Sequence, residues 1–312
     1  MSGRLSTAAR IAAAAALVTG MLSGVPGEAL AADTTATAGC KIEPGSVTAG
    51  GDHTDRVITA GSPATVQEKP RYPDIYPDGR PRLSTLIGDE PVTPSPGRGY
   101  YGHAVIGSGL YDSFYIVTEA GEVDPMQHLN ERVGGGWGDT TFLETSYPHD
   151  PDPWALTNHY SLRSNGILTA WDDKGGFGWT NARSAGGFAA VKTMALISQT
   201  ATYDTFLANT RGGALYTIRL PLTAPLKPIV KKVRDSTWQG FESLIAEKCG
   251  QYGTLLLGID KDTQSGYLYA VGHANGTATV IQGLGKVPAT FPDPVYFRHV
   301  SEPRDAPLLF GE

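Results

Sequence analysis

The sequence has few charged residues. They make up 18% of its 312 residues, and the formal net charge is −6. Nucleic-acid binding needs a basic face, and so does attraction to an anionic membrane surface, so this composition argues against both kinds of partner. Beyond the N-terminus there is no apolar run long enough to span a bilayer, and we expect no membrane insertion.

Common catalytic and metal-binding motifs are also missing. The sequence has no Gly-x-Ser-x-Gly elbow, no His-Glu-x-x-His pair and no Ser-x-Asp-x-Gly-x-Thr-Trp box of the sialidase propellers. Its seven histidines show no spacing typical of metal ligands. We therefore predict no catalytic residue, no metal site and no cofactor, and an enzyme is not the favoured class.

Cysteine is scarce, since Cys40 and Cys249 are the only two. Outside the cell an even pair predicts a disulfide. Closing so long a loop would stabilise the fold by about 4–5 kcal/mol in the chain-entropy model. Two separate thiols remain the alternative.

The N-terminus has the pattern of a targeting segment. Two arginines precede an apolar run over 11–18, and the Ala-Leu-Ala at 29–31 is a small-residue cleavage site. We expect a signal peptide over 1–31, a mature chain that begins near Ala32, and an extracellular location.

Glycine and proline, in contrast, are abundant, at 39 and 22 residues. Prolines interrupt the segment 32–99, which we interpret as an N-terminal arm that packs on the body or completes it. From 100 to 312 the pattern predicts strands and tight turns. Asn165-Gly166 is the strongest hairpin signal, and the tail over 295–310 predicts one more hairpin.

A repeat runs through this region. Phe114, Tyr160, Phe206 and Leu255 occupy similar strand positions and are separated by 46, 46 and 49 residues. Units of about 47 residues with three or four strands are typical of propeller blades. We predict an all-β fold, a β-propeller of about five blades that is closed by the two ends of the chain, with room for a sixth blade in the arm.

Tryptophans are the best functional signal. A tryptophan face stacks on the apolar face of a sugar, and a neighbouring Asp or Asn can bond its hydroxyls. Three such pairs are the predicted ligand-binding residues: Trp137 with Asp139, Trp171 with Asp172, and Trp179 with Asn181. Trp137, Trp179 and Trp238 are also predicted to lie at blade joins, where packing between blades is the alternative role and the favoured one for Trp238.

Two motifs resemble the tachylectin-2 family. They are Gly135-Gly136-Trp137, followed by Phe142, and the strand Gly-Tyr-Leu-Tyr-Ala-Val over 266–271. That family is a five-bladed propeller that binds N-acetylated amino sugars between neighbouring blades, and the resemblance covers about two-thirds of the mature chain. The Gly-Gly-Trp element is complete only once, which argues against five equivalent sites.

The favoured function is therefore that of a secreted, monomeric, lectin-like protein that binds an N-acetylated sugar or glycan. The first alternative is a protein–protein interaction module that acts on a secreted protein, such as an extracellular protease. A propeller glycosidase or lyase that uses carboxylates in the central channel is less favoured, because the repeat positions show no recurring carboxylate.

Overall fold

The computed structural model describes residues 39–85, 87–91, 97–147, 156–174, 178–300 and 306–312. The expected signal peptide over 1–31 lies outside these residues. The described residues fall in one unit of the chain, Ala32–Glu312. In this part of the chain, no helix could cross a membrane, and the one helical element is a short 3₁₀ turn at Gly276–Ala278.

The described strands form five antiparallel sheets, which we call blades 1 to 5. Blade 1 contains β5 (Pro81–Ser84), β6 (Ile87–Pro91), β7 (Arg98–Ile106), β8 (Gly109–Val117) and β9 (Val123–Gly135). Blade 2 contains β10 (Thr140–Ser146), β11 (Leu156–Arg163), β12 (Leu168–Lys174) and β13 (Thr180–Ala185). Blade 3 contains β14 (Val191–Gln199), β15 (Tyr203–Thr210), β16 (Leu215–Pro221) and β17 (Ile229–Arg234). Blade 4 contains β18 (Ser243–Cys249), β19 (Gly253–Asp260), β20 (Ser265–Val271) and β21 (Ile281–Thr290). Blade 5 contains β1 (Lys41–Ile42), β2 (Pro44–Val47), β3 (His53–Thr59), β4 (Thr65–Tyr72) and β22 (Val295–Arg298).

Burial falls from the inner strands of a blade to the outer one. In β15, which carries Phe206 and Leu207, all residues but the first are buried. In β17, which carries Lys231 and Lys232, all but Val233 and Arg234 are exposed. The second strand of a blade has apolar residues on both faces because neighbouring blades cover both of its sides.

The innermost strands β5, β10, β14, β18 and β22 follow one another around a closed ring. Blade 5 closes it, since β22 from the end of the chain pairs with β2, and β3 and β4 follow outward. The segment 32–99, predicted as an arm, thus supplies three strand positions of blade 5 and the inner strands of blade 1. This arrangement confirms the prediction of an all-β propeller of five blades that is closed by the ends of the chain.

A disulfide joins blade 5 to blade 4. Cys40 lies just before β1, and Cys249 ends β18, with their Cα atoms 5.5 Å apart. The bond spans 209 residues of sequence. The predicted pairing is confirmed, and it holds the closing blade to its neighbour.

The Asn165-Gly166 turn joins β11 to β12 as predicted. Gly166 has a φ of +83°, and a Cβ there would lie 2.2 Å from the backbone nitrogen of Ala189. Glycine is needed at this position both for the left-handed conformation and for the close approach of blade 3.

Two details of the sequence interpretation were wrong. Counted outward from the axis, Phe114 lies on the third strand position of blade 1, because β5 and β6 share the first. Tyr160, Phe206 and Leu255 lie on second strands, so the first spacing of 46 residues compares different strands. The tail does not return as a hairpin on β22. Phe310 instead forms an antiparallel backbone bridge with Ser198 on β14, so the tail pairs with blade 3.

Candidate functional site

The joins between blades repeat one backbone arrangement. An aromatic residue in each join donates its backbone N–H to a carbonyl in the turn between the second and third strands of the preceding blade. The five bonds are Tyr76 to Gly51 (2.9 Å), Trp137 to Ser108 (3.0 Å), Phe188 to Gly166 (3.1 Å), Trp238 to Gly213 (3.0 Å) and Phe291 to Gln264 (3.0 Å). These residues are therefore equivalent positions of the repeat, although the sequence motifs align them poorly.

Exposure separates one join from the others. Tyr76, Phe188, Trp238 and Phe291 are 3%, 8%, 5% and 1% exposed, so their rings belong to the packing between blades. Trp137 is only partly buried. An equivalent backbone position thus holds a structural ring at four joins and a partly accessible indole between blades 1 and 2.

Two more tryptophans meet Trp137 at this join. Trp171 comes from β12, and Trp179 lies just before β13. Ring centroids are 5.5 Å apart for Trp137–Trp171, 5.5 Å for Trp137–Trp179 and 5.2 Å for Trp171–Trp179. All three are partly exposed, and we call this group the tryptophan cluster.

The structure therefore brings together the three tryptophans that were predicted as separate ligand-binding pairs. Trp179 was predicted to lie at a join between blades, but in the sequence it falls between β12 and β13, two strands of the same blade. Trp238, for which packing was favoured, is buried at a join.

The acidic partners of these tryptophans differ in accessibility. Asp139 is about half exposed and accepts a hydrogen bond from Nη1 of Arg163 at 3.2 Å. Asp172 is buried and forms a two-point ion pair with Arg183, at 2.5 and 3.1 Å. Its Oδ2 also accepts a bond from Nδ2 of Asn181 at 3.2 Å. Asp172 thus positions its own blade, whereas Asp139 and Arg163 are open to a ligand.

Two histidines lie behind the tryptophan cluster. The ring of His159 stacks on Trp179 with centroids 4.2 Å apart and planes 7° apart. Burial lowers the pKa of His159 to about 4, so this imidazole is neutral at neutral pH. Nε1 of Trp179 donates to Nε2 of His103 at 3.1 Å. These contacts hold the Trp179 indole in one orientation.

A second candidate site lies on the axis of the ring. A cavity of about 280 Å³ is lined by residues of all five innermost strands, including Ser84, Glu144, Met194, Leu244 and Arg298. Burial raises the pKa of Glu144 to about 7, although the Arg298 guanidinium opposes the shift. A carboxyl group with this pKa can exchange protons near neutral pH.

A second carboxylate is linked to this group. Glu247 forms an ion pair with Arg298, with Oε1 3.0 Å from Nε. Burial also raises the pKa of Glu247. Glu144 pairs across the strand with Tyr160, and Glu247 pairs with Leu255, so both carboxylates lie on the first strands of their blades.

Sequence reasoning missed this carboxylate pair. It looked for recurring acids at the glycine-rich turn after the second strand, whereas these acids lie on the first strand. The signal was present, since Tyr160 and Leu255 were themselves recognised as repeat positions and the glutamates lie opposite them.

No protein-family model matches the sequence, and no curated protein matches it. Among solved structures, an α-L-arabinofuranosidase of Podospora anserina is similar at 14% identity and a TM-score of 0.42, with 70% of this chain and 72% of that chain covered. A lectin of Burkholderia pseudomallei is similar at 13% identity and a TM-score of 0.41, with coverage of 81% and 71%. A periplasmic gluconolactonase of Pseudomonas aeruginosa is similar at 10% identity and a TM-score of 0.42, with coverage of 77% and 79%. These similarities concern the fold, and the tachylectin-2 resemblance stays a prediction.

Proposed function

We propose that this protein is a secreted carbohydrate-binding protein of lectin type, and that the tryptophan cluster between blades 1 and 2 is its binding site. The observation that carries the proposal is the meeting of Trp137, Trp171 and Trp179 as partly exposed rings at one join. Equivalent join residues elsewhere are buried.

The arrangement of the rings suits a pyranose. Trp137 and Trp171 are inclined by 35°, and Trp137 and Trp179 by 83°, so the three indoles form a corner rather than a flat layer. One indole can stack on the apolar face of a sugar while another contacts its edge or its N-acetyl methyl group. The apolar residues Val105, Leu110 and Leu143 support the corner from behind.

Polar groups beside the corner can orient a bound sugar through hydrogen bonds. The Asp139 carboxylate can accept bonds from sugar hydroxyls, and the Arg163 guanidinium can donate to them. Their side chains are 41% and 40% exposed, so a ligand reaches them without breaking the core. Asp172 and Arg183 form the support beneath this surface, and Asn181, which is exposed, donates to Asp172.

Binding is tested with N-acetylglucosamine and N-acetylgalactosamine, on a glycan array and by titration calorimetry. We expect saturable binding to one of them and a loss of about tenfold or more in Trp171→Ala, in line with the effect of removing one stacking ring. Trp171 is the residue of choice because it is partly exposed and its ring contacts the rings of both Trp137 and Trp179.

The matched control is Tyr252→Ala, which removes an aromatic ring that is 53% exposed in blade 4. This variant should bind as the unchanged protein does. A blank glycan array, or equal binding by both variants, would rule out the tryptophan cluster as a sugar site. Capture of a secreted protease at the same cluster, abolished by Trp171→Ala, would replace the sugar with a protein partner.

Export is part of the proposal, and the Cys40–Cys249 disulfide supports it, because such bonds persist in oxidising compartments. The expected form is a monomer that begins near Ala32. N-terminal sequencing of the protein from culture medium, together with light scattering, measures both. A chain that retains its first residues inside the cell would refute export.

A second function, acid–base catalysis in the central cavity, is favoured by one observation. Glu144 has a pKa of about 7 and lies beside Arg298, to which a second carboxylate is bound. Such pairs are typical of glycosidases and lyases. A screen of aryl glycosides and uronic-acid polymers tests it, with loss of any turnover in Glu144→Gln expected and unchanged turnover in that variant contradicting it.

A further inference from the structure

Two histidines and an aspartate meet inside blade 5, far along the sequence from one another. His53 and Asp55 lie on β3, and His299 directly follows β22. Their exposed fractions are 0%, 2% and 2%. The three residues thus meet where the N-terminal strands of the ring join its C-terminal strand.

The geometry of the three side chains is that of ligands around one small centre. One nitrogen or oxygen of each lies within 4.8 Å of the others. Nε2 of His53 is 2.8 Å from Oδ1 of Asp55, and Nδ1 of His299 is 3.7 Å from the same oxygen. Ligand atoms of a tetrahedral zinc ion lie about 3.3 Å apart, as follows from metal–ligand distances of about 2.0–2.1 Å.

One of these atoms lacks a partner. Nδ1 of His299 is buried and makes no hydrogen bond, although an unpartnered buried nitrogen is costly. At 3.7 Å the Asp55 oxygen is too far for a hydrogen bond but well placed to share a cation with this nitrogen.

His53 has the second contact that metal-bound histidines usually make. While Nε2 faces Asp55, the other nitrogen, Nδ1, is hydrogen-bonded to the hydroxyl of Tyr115. In the tautomer in which Nδ1 donates to this hydroxyl, Nε2 carries the lone pair that can coordinate a metal ion. Rings of Tyr100 and Phe297 also lie beside His53 and hold its plane.

From this geometry we propose that His53, Asp55 and His299 bind one divalent transition-metal ion at the closure of the ring. Two imidazoles and one carboxylate favour zinc among the common ions, because magnesium and calcium prefer oxygen ligands alone. The ion links β3 to the residue that follows β22, so it fastens the start of the propeller to its end. It adds a second fastening of blade 5, apart from the Cys40–Cys249 disulfide that joins this blade to blade 4.

The consequence for folding follows from linkage. An ion that binds the closed ring and not the unfolded chain stabilises the ring. Because the three ligands are buried, the ion is captured while the chain folds and is held tightly afterwards.

The test uses the untagged protein, produced in minimal medium with added cobalt or zinc and dialysed against metal-free buffer. Elemental analysis should give about one ion per chain, and the cobalt form should show the visible d–d bands of a nitrogen- and oxygen-coordinated site. The melting temperature should rise with metal content.

His299→Gln is the informative variant, and its metal content should fall by about tenfold or more. His273→Gln, which alters an exposed histidine of blade 4, is the matched control and should keep its ion. If the unchanged protein carries no cobalt or zinc, or if a folded His299→Gln keeps it, the proposal is overturned.

If His299→Gln does not fold, crystals of the cobalt form decide the matter. An anomalous peak between His53, Asp55 and His299 supports the site. A peak elsewhere, or none, shows that the three side chains are an ordinary buried polar network.

Discussion

Blades 2 and 4 begin with equivalent tryptophans that have different surroundings. Trp238 is 5% exposed and lies against Tyr269 and Phe241, with centroids 4.9 and 5.7 Å away. The buried Asn209 donates to its carbonyl at 2.8 Å. Trp137 makes the same kind of join in the backbone, yet its ring neighbours are two other partly exposed tryptophans. The backbone position sets where the ring lies, and its neighbours set whether it packs or is open to a ligand.

The same two blades differ along the axis. Glu247 of blade 4 is neutralised by Arg298, with which it forms two bonds. Glu144 of blade 2 also lies on a first strand and lines the cavity, and its Oε1 accepts a bond from the backbone N–H of Thr145 at 3.1 Å. The Glu247 carboxylate is thus held by an ion pair, whereas the Glu144 carboxylate lines the cavity.

The largest loss of stability is expected from removing the disulfide that joins blade 4 to blade 5. Replacing both Cys40 and Cys249 with serine should lower the free energy of unfolding by about 5 kcal/mol in the chain-entropy model, since the loop spans 209 residues. Urea unfolding measures the loss. A control with Ser113→Ala, which leaves the disulfide in place, should lose far less. A loss below that of the control would show that packing alone holds blades 4 and 5.

Truncating the two join tryptophans tests the comparison directly. Trp238→Ala should lower the free energy of unfolding by about 3–5 kcal/mol, as large buried aromatic rings do. Trp137→Ala should lose less than half of that, because its ring is partly exposed. Both are measured by urea unfolding. Sugar binding should change in the opposite order, and equal stability losses would mean that the two joins are not different.

Glu144→Gln sharpens the axial half of the comparison. The folded protein holds the Glu144 pKa at about 7 against an ordinary 4.5, so between these pH values it binds more protons than the unfolded chain. Stability from this group is therefore present below pH 4.5 and is lost as the pH rises through 7, by up to about 3 kcal/mol. The variant should remove this slope from the pH dependence of unfolding, while Glu122→Gln, at an exposed residue, should keep it. An unchanged slope in Glu144→Gln would mean that the group is not protonated near neutrality.

The smallest change in stability is expected at Asp139. Its ion pair with Arg163 is about half exposed, and such pairs contribute less than about 1 kcal/mol. Asp139→Asn should therefore leave the melting temperature nearly unchanged while it lowers sugar affinity several-fold. Asp235→Asn, which removes an exposed carboxylate paired with Lys232, is the control for both readouts. A large loss of stability with normal binding would assign Asp139 a purely structural role.

Much of the fold could be predicted because a repeat is a local property. Strand alternation, the Asn165-Gly166 turn and the spacing between Tyr160, Phe206 and Leu255 lie within the range of one blade. The spacing misled only at Phe114, where a similar distance joined the third strand of one blade to the second strand of the next. The tail was misread as well, since Phe310 pairs with blade 3 across the ring and no local signal marks that partner.

The site was predicted less completely. Trp137, Trp171 and Trp179 were recognised one by one, as tryptophans beside acids, but their meeting at one join depends on how blade 2 packs against blade 1. Asp172 was predicted to contact the ligand because it follows Trp171 in the sequence. Its partner Arg183 lies on the next strand, and the two meet only through the register of strand pairing.

The sequence alone determined the strand-and-turn pattern, the number of repeats that a ring could hold, and the two cysteines able to cross-link it. These follow from side-chain periodicity and backbone preferences, which act over a few residues. Only the tertiary structure decided which equivalent tryptophan is buried, which glutamate forms an ion pair with Arg298, and that His53, Asp55 and His299 converge. Those outcomes depend on how the blades pack and on ring closure, which places β22 beside β2, with β3 next to it, although more than two hundred residues separate β3 from β22 in the chain.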